Sequence, residues 1–273
     1  MRGTWTVLRA ETYRMSRTRS MWISLFFMGT LAFLFAFLAG EEMVGGHGGT
    51  SGLGWAPMAS GFNAGLVIGT LGLAFLAARS LAGDADGWIL RLTVTRSASR
   101  PALVFGRFLL GIPLVVCVIA VSLLGAWIGG LTAGGFAEIV IDNGLMATPG
   151  ELIDETRRTI LSVFFPMLCV WSFGLLVSSL SPNATMAVAA TIAALLALDV
   201  LKLLLQGDDT WFFTTYVPTL TGSSASTELI PVAKGMSIGG YQDHLFRQSI
   251  LVPIPETLIF IGLATWRTRF RSL

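Results

Sequence analysis

The sequence is poor in charge and in the side chains that soluble enzymes use for chemistry. Only 12% of its 273 residues are charged, and it holds two lysines, two histidines and two cysteines. Soluble proteins carry about 25% charged residues. Hydrophobic residues make up 53% of the chain. This balance excludes an ordinary soluble domain and indicates a chain that spans a membrane.

The scarcity of lysine excludes a nucleotide-binding loop. Such a loop needs the pattern G-x-x-x-x-G-K-[ST], in which backbone N–H groups and the lysine hold the phosphates. Neither Lys202 nor Lys234 stands in that pattern, and no segment is large enough for a soluble nucleotide-binding domain. We therefore expect a protein that is not an enzyme, has no cofactor of its own and draws any ATP energy from a separate chain.

The few histidines and cysteines do not form a pattern typical of a metal or redox site. His47 and His244 fall far apart in predicted outer loops, which favours solvated residues over metal ligands. Cys117 and Cys169 fall inside apolar runs, where small buried side chains are the simpler interpretation. The sequence predicts no metal site and no disulfide framework.

Apolar runs of about 20 residues are long enough to cross a membrane as helices. Six such runs cover residues 21–40, 62–82, 103–131, 158–180, 184–205 and 249–266. They predict an all-α membrane protein with a cytoplasmic lead-in at 1–20 and one six-helix transmembrane domain at 21–273.

The distribution of arginine predicts the orientation, because basic residues concentrate in cytoplasmic segments. Thirteen of the 18 basic residues lie before the first run, in and beside 83–101, or in the C-terminal tail. They are Arg2, Arg9, Arg14, Arg17, Arg19, Arg79, Arg91, Arg96, Arg100, Arg107, Arg267, Arg269 and Arg271. The predicted outer loop 41–61 has no lysine or arginine, and 132–157 is net acidic. We expect a multi-pass protein of the cell membrane with both termini in the cytoplasm.

Residues 83–101, GDADGWILRLTVTRSASRP, combine arginines with large apolar side chains. The apolar spacing fits a strand and a helix equally well. Because Asp84 or Asp86 can cap a helix that begins near Gly87, we predict a short amphipathic helix. It would turn its arginines toward lipid headgroups or a protein partner. The alternative is a plain cytoplasmic loop whose arginines only fix the topology.

The stretch GDADGWILRLTVTRSASRPALVFGRFLLG resembles the cytoplasmic loop of ABC-2-type permeases, the membrane subunits of ATP-driven exporters. That family has an acidic residue after the second span, then G-x-x-x-x-L, small residues, an arginine and a basic residue that opens the third span. The matching positions are Asp84, Gly87, Leu92, Ser97, Arg100 and Arg107. The sequence departs from the family in having Asp where Glu is usual and in lacking a proline near Arg96.

Two further segments resemble the same family. RAETYRMSRTRSMWISLFF is similar to its basic amphipathic lead-in, and SSLSPNAT at 178–185 to its tight turn between spans four and five. The predicted apolar face of the lead-in helix is Trp5, Leu8, Thr12 and Met15, and the residues that point elsewhere are Arg9, Glu11, Arg14 and Arg17.

The resemblance implies a dimer of identical or related permease subunits in membrane lipid, bound on the cytoplasmic side by a pair of ABC ATPase subunits that carry ATP and magnesium. It makes 83–101 the coupling helix that contacts the ATPase. The implied coupling residues are Asp84, Asp86, Gly87, Trp88, Arg91, Leu92, Arg96 and Arg100. No nucleic-acid partner is expected.

Three ionisable residues are candidates for the transport path or its gate. Asp199 and Lys202 lie three apart near the end of the fifth run, where they can neutralise each other or line a path. Glu256 follows Pro253 and Pro255 at the start of the last run, and the resemblance implies an outer gate there. Short helices at the outer membrane surface are expected within 206–248, where Trp211, Phe212, Phe213 and Tyr216 predict anchors at the headgroup level.

Gly61, Gly65 and Gly69 are spaced four apart in the second run, and Gly125 and Gly129 repeat the spacing in the third. Small residues at this spacing allow helices to approach closely in lipid. We expect them to pack helices within one subunit rather than between subunits.

Two alternatives to an exporter subunit stay open. A membrane scaffold would recruit a soluble partner through 83–101 without moving cargo. An ion-coupled carrier would need ionisable residues near the middle of the membrane, whereas Asp199 and Lys202 lie near one end of a run.

Overall fold

The structure, a computed structural model, is almost entirely helical over the part of the chain that it describes. The described residues are 2–44, 53–86, 99–141, 144–205, 209–218, 224–236 and 243–270. Within them, six helical segments are long and apolar enough to cross a membrane. The chain is therefore a mainly helical, multi-pass membrane protein, as its composition predicts.

The described residues contain ten α-helices and one short β-hairpin. The helices are α1 Arg2–Arg17, α2 Arg19–Val44, α3 Trp55–Asp86, α4 Arg100–Thr132, α5 Pro149–Leu180, α6 Ala184–Leu205, α7 Phe213–Tyr216, α8 Ala225–Ala233, α9 Asp243–Leu251 and α10 Pro253–Phe270. A 3-10 turn at Asp209–Trp211 precedes α7, and the strands are β1 Ile139–Ile141 and β2 Gly144–Ala147.

Helix α3 is the centre of the bundle. It packs against α2, α4, α5, α6 and α8. Of the most apolar 18-residue stretch of each helix, 67% is buried in α3 and 11% in α6. Large side chains of α3 such as Phe62, Leu66 and Leu73 are almost fully buried. Helix α6 therefore lies at the periphery of the bundle, with most of its apolar surface exposed.

Glycines bring α2, α3 and α4 into close contact. A Cβ on Gly61 would collide with the backbone of Ala32, one on Gly65 would lie 2.8 Å from the Cβ of Ser122, and one on Gly125 would collide with the carbonyl of Gly29. All of these neighbours belong to the same subunit. The expectation that the glycines pack helices within one subunit is confirmed.

Helices α3 and α5 begin several residues earlier than the sequence analysis predicts. Helix α5 starts at Pro149 rather than 158, because Thr148 and Glu151 form a reciprocal capping box that satisfies the first backbone donors. The hydroxyl of Thr148 accepts from the Glu151 N–H, and the Glu151 carboxylate accepts from the Thr148 N–H at 2.9 Å. Helix α3 likewise starts at Trp55 rather than 62. Part of each predicted outer loop is therefore helix.

An aromatic cluster closes one end of the bundle. Trp55 lies edge-on to Phe136, with ring centroids 4.7 Å apart, and its indole N–H donates to the carbonyl of Ala137. Strands β1 and β2 pair antiparallel just beyond this cluster. The apolar runs give no signal for this hairpin. We call this end of the bundle, marked by β1 and β2, the hairpin end.

The opposite end, called the terminal end, holds the last turns of α3 and α5 and the first turns of α4. Helix α1 packs on α4 there, with the side chain of Val7 against Gly106. Helix α10 runs parallel to α5, since Glu256 lies beside Cys169 and Phe260 beside Phe173. Both helices therefore end at the terminal end.

The last span is broken rather than continuous. Helix α9 ends at Leu251 and α10 begins at Pro253, since a proline favours the first helical position and cannot donate a backbone hydrogen bond. The predicted run 249–266 is therefore two helices. Together they form the candidate span Asp243–Phe270.

We expect Gly125→Ala to destabilise the protein, because the added Cβ meets the backbone of Gly29, which cannot rotate away. The cost should be about 1–3 kcal/mol, as for other overpacked cores. Thermal unfolding of the purified protein in detergent measures it. Gly72→Ala is the matched control, since no atom lies within 4 Å of a Cβ at Gly72. Equal melting temperatures for the two variants would contradict the packing of α2 on α4.

Candidate functional site

A buried arginine joins four helices at the terminal end. Arg107 of α4 is only 3% exposed. Its Nη2 donates to Oε1 of Glu11 in α1 at 3.1 Å, and its Nη1 donates to the carbonyl of Ser80 in α3. Its own carbonyl accepts from the indole N–H of Trp171 in α5 at 3.1 Å. We call Arg107, Glu11, Ser80 and Trp171 the Arg107 network.

The charge and the packing of the network depend on each other. A buried guanidinium is costly unless it is paired and hydrogen-bonded, and Glu11 supplies the counter-charge from a side chain that is 18% exposed. The Trp171 indole lies directly against Gly111 of α4, where any Cβ would collide with the ring. The network therefore holds α1, α3 and α5 against one turn of α4.

Helix α5 also holds the last turns of α3. The hydroxyl of Ser178 accepts from the backbone N–H groups of Leu81 and Ala82, at 3.0 Å and 2.9 Å. Residues 80–82 of α3 are thus bound through a carbonyl by α4 and through two N–H groups by α5. This is the part of α3 that leads directly into the predicted coupling segment.

The predicted coupling residues lie at or between the ends of α3 and α4, which the contacts above hold in place. Asp84 and Asp86 stand in the last turn of α3, and Arg100 is the first residue of α4, capped by the Ser99 side chain. The coupling residues Gly87, Trp88, Arg91, Leu92 and Arg96 lie outside the described residues. The amphipathic helix predicted for 83–101 therefore stays a prediction.

Helix α1 packs on the bundle through a face that only partly overlaps the predicted apolar face, whose role at the membrane stays a prediction. Val7 is buried and Glu11 turns inward to Arg107, whereas Trp5 is 69% exposed and Thr12 is exposed. Leu8 and Met15 do pack against the core, as predicted. The ion pair with Arg107 places Glu11 on the packed side of α1, which a pattern of apolar residues does not indicate.

A second ionisable residue lies at the middle of the last span. Glu256 is in the first turn of α10, at the centre of the candidate span Asp243–Phe270, and it is half-buried. Its Oε2 accepts from the N–H of Phe213 at 3.0 Å and lies 3.9 Å from the Sγ of Cys169. From Cys169 to the end of α5 is about 16 Å along the helix axis. The carboxylate is therefore deep within the bundle.

The segment 209–217, which includes Phe213, packs inside the bundle. Phe213 and Tyr216 are almost fully buried, and Val217 packs with Phe213 against Cys169 and Val170 of α5. The headgroup anchoring predicted for Phe213 and Tyr216 is wrong for these two residues, because the bundle covers their rings. Trp211, in contrast, is 77% exposed.

Helix α8 also enters the bundle from the region before the last span. Its Ser226 hydroxyl donates to Oδ1 of Asn63 in α3 at 2.7 Å, and both residues are buried. Leu229 and Ala233 on the same face join the main hydrophobic core. The expected short helices are present, and they pack against the transmembrane helices through polar as well as apolar contacts.

The other candidates are less informative. Asp199 is half-buried on α6, and the side chain of Lys202 lies outside the described residues, so their predicted pairing stays a prediction. Cys169 is buried, as predicted, and Cys117 is half-buried. His244 is exposed, and His47 lies outside the described residues. Among the described residues, no group of His, Cys, Asp and Glu could hold a metal ion.

Sequence patterns missed the partners in both sites. Glu11 and Arg107 are 96 residues apart, and Phe213 offers only a backbone N–H to Glu256. An acidic residue on a helix that otherwise carries arginines was the one available signal for the first pair. Nothing in the residue types around Phe213 indicates the second contact.

Comparison with known proteins does not assign the chain to a family. No model of a known protein family matches the sequence, and no curated protein matches it. The resemblance to ABC-2-type permeases therefore depends on the residues quoted above.

We expect Glu11→Gln to lower the melting temperature, because it removes the counter-charge that Glu11 supplies to the buried Arg107. The cost should be about 1–3 kcal/mol, as for a buried polar group that loses its partner. Asp154→Asn is the matched control, since the Asp154–Arg157 pair has the same 3.1 Å distance but both side chains are 74% exposed. Such surface pairs contribute about 0–1 kcal/mol. An equal effect of the two substitutions in thermal unfolding would contradict the role given to burial.

Proposed function

We propose that the chain is the permease subunit of an ABC-2-type exporter in the cell membrane, with both termini and 83–101 in the cytoplasm. The observation that carries the proposal is the Arg107 network at the terminal end. It fixes both helices that flank 87–98 to each other and to α1 and α5. A segment that receives force from a partner needs such a firm attachment to the bundle.

The network gives a physical route for coupling. ATP binding draws the two ATPase subunits together and moves the 83–101 segment seated on them. Because Ser80 and Arg107 are hydrogen-bonded and lie close to the two ends of that segment, α3 and α4 move as one body. Trp171 and Ser178 transfer the displacement to α5, and α5 carries it toward Glu256.

The absence of a phosphate-binding loop in the sequence supports a separate ATPase as the source of energy. In this proposal two permease subunits, identical or related, form the path between them within the lipid. Amphipathic or hydrophobic molecules are the cargo that such a path favours. Asp199, Lys202 and Glu256 are the ionisable residues that line or gate it.

Glu256 is well placed to act as the gate. Its carboxylate is bound to the backbone of the segment 209–217, which packs between α5, α6 and α10. A shift of α5 would change the distance between Cys169 and Glu256 and loosen this segment. Gating from the outer side would then follow directly from movement at the terminal end.

A second candidate, an ion-coupled carrier, gains support from Glu256. Such carriers place ionisable residues near the middle of the membrane, and Glu256 stands at the centre of the last span. Dependence of transport on an ion gradient without ATP would favour the carrier. A scaffold that only recruits a partner would show neither dependence.

We expect Trp88→Ala and Arg91→Glu to abolish co-purification of the chain with its proposed ATPase partner without affecting folding. These residues supply the apolar and the basic contact of the proposed coupling helix. Affinity purification from co-expressing cells measures the association, and size-exclusion chromatography checks the fold. Arg157→Glu, at the hairpin end, is the control and should leave the association unchanged. Unchanged association in the Trp88 and Arg91 variants would rule out docking through 83–101.

A further inference from the structure

The carboxylate of Glu256 is only partly satisfied by the protein. Within the described residues its two hydrogen-bond contacts, from the Phe213 N–H and the Cys169 thiol, both reach Oε2. Among the described residues, none donates to Oε1, and none forms an ion pair with Glu256. An ionisable group within a membrane span is costly and normally meets an opposite charge. Oε1 therefore offers a binding position for a positive group.

The two contacts also hold the carboxylate in one place. The donor N–H belongs to a backbone position beside the buried ring of Phe213. Cys169 is buried on α5, and the Ser172 hydroxyl donates to its carbonyl. A fixed carboxylate loses little freedom when it binds a ligand, so these contacts favour recognition.

Three aromatic rings form a cluster on the elements that carry Glu256 and its two contacts. The ring centroids of Phe173, Phe213 and Phe260 lie 5.4–6.0 Å apart from one another. Phe260 is one turn beyond Glu256 on the same face of α10. Phe213 is buried, whereas Phe173, Phe260 and Glu256 each keep part of their surface exposed. A ligand can therefore contact two rings and the carboxylate together.

The geometry points to a binding site for a lipophilic organic cation formed by Glu256, Phe173 and Phe260. The positive centre of the ligand pairs with Oε1, and its apolar body lies on the two rings, whose faces also attract cations. An anion of the same shape is repelled by the carboxylate, and a neutral amphiphile gains no ion pair. The site rests on the proposed export function only for its role as a cargo site; the binding itself needs no ATPase.

The test is equilibrium binding of tetraphenylphosphonium to the purified full-length chain in lipid nanodiscs. We expect saturable binding that weakens at least tenfold in Glu256→Gln, because this change keeps the shape and removes the charge. Tetraphenylborate, the anion of matched size, should not bind saturably. Glu256→Asp should retain a measurable part of the affinity for the cation.

Two control variants separate the site from general effects on the protein. Glu155→Gln removes a carboxylate on the part of α5 nearer the hairpin end and should leave binding unchanged. Phe260→Leu keeps apolar volume and removes a ring, and it should weaken binding several-fold with Glu256 intact. Thermal unfolding of each variant shows whether it is folded. If Glu256→Gln is not folded, binding to Phe260→Leu tests the site instead.

Several results would overturn the site. Equal affinity of the wild type and Glu256→Gln, or equal binding of the phosphonium and the borate, excludes recognition by this carboxylate. Binding of a proton only, seen as proton uptake by Glu256 without any saturable phosphonium binding, excludes the organic cation. If the chain binds the cation but not an ATPase, the site stands and the export function fails.

Discussion

The ion pair between Arg107 and Glu11 is the contact on which the rest of the structure depends. A guanidinium in an apolar bundle must keep its counter-charge and its acceptors within hydrogen-bonding distance, because separating a buried charge from such a partner is costly. Those partners come from α1 and α3, and the Trp171 indole adds α5. The positions of four helices at the terminal end are therefore linked through one side chain and its backbone.

Close packing extends this linkage along the bundle. Glycines bring α2, α3 and α4 to backbone contact, whereas α6 buries little of its surface and α9 and α10 are separated at Pro253. The first part of the chain thus forms a tightly packed body, and the last part packs on it through α3, α4 and α5, with Glu256 beside Cys169 of α5. The segment 83–101, proposed to receive force from the ATPase, is therefore attached to the tightly packed body. The proposed cargo site at Glu256 lies at the boundary of that body.

Sequence patterns predicted the features of the fold that depend on the average polarity and size of the residues in each segment. The six spans, the helical class and the internal role of Gly61, Gly65 and Gly69 follow from apolar length and small-residue spacing, and the structure agrees. The early start of α5 was missed because a capping box outweighs the charges that follow it. The inward turn of Glu11 and the burial of Phe213 and Tyr216 were missed because they depend on partners distant in sequence. Residues 87–98, the part of 83–101 most important to the function, lie outside the described residues, so their role stays a prediction from the sequence.

The central claim is that 83–101 faces the cytoplasm and touches an ATPase there. A single cysteine introduced by Arg96→Cys, in a chain with Cys117→Ala and Cys169→Ala, can be labelled with a membrane-impermeant maleimide. The account predicts no labelling in intact cells, labelling after permeabilisation, and protection when the ATPase is co-expressed. Labelling of intact cells from outside would contradict it.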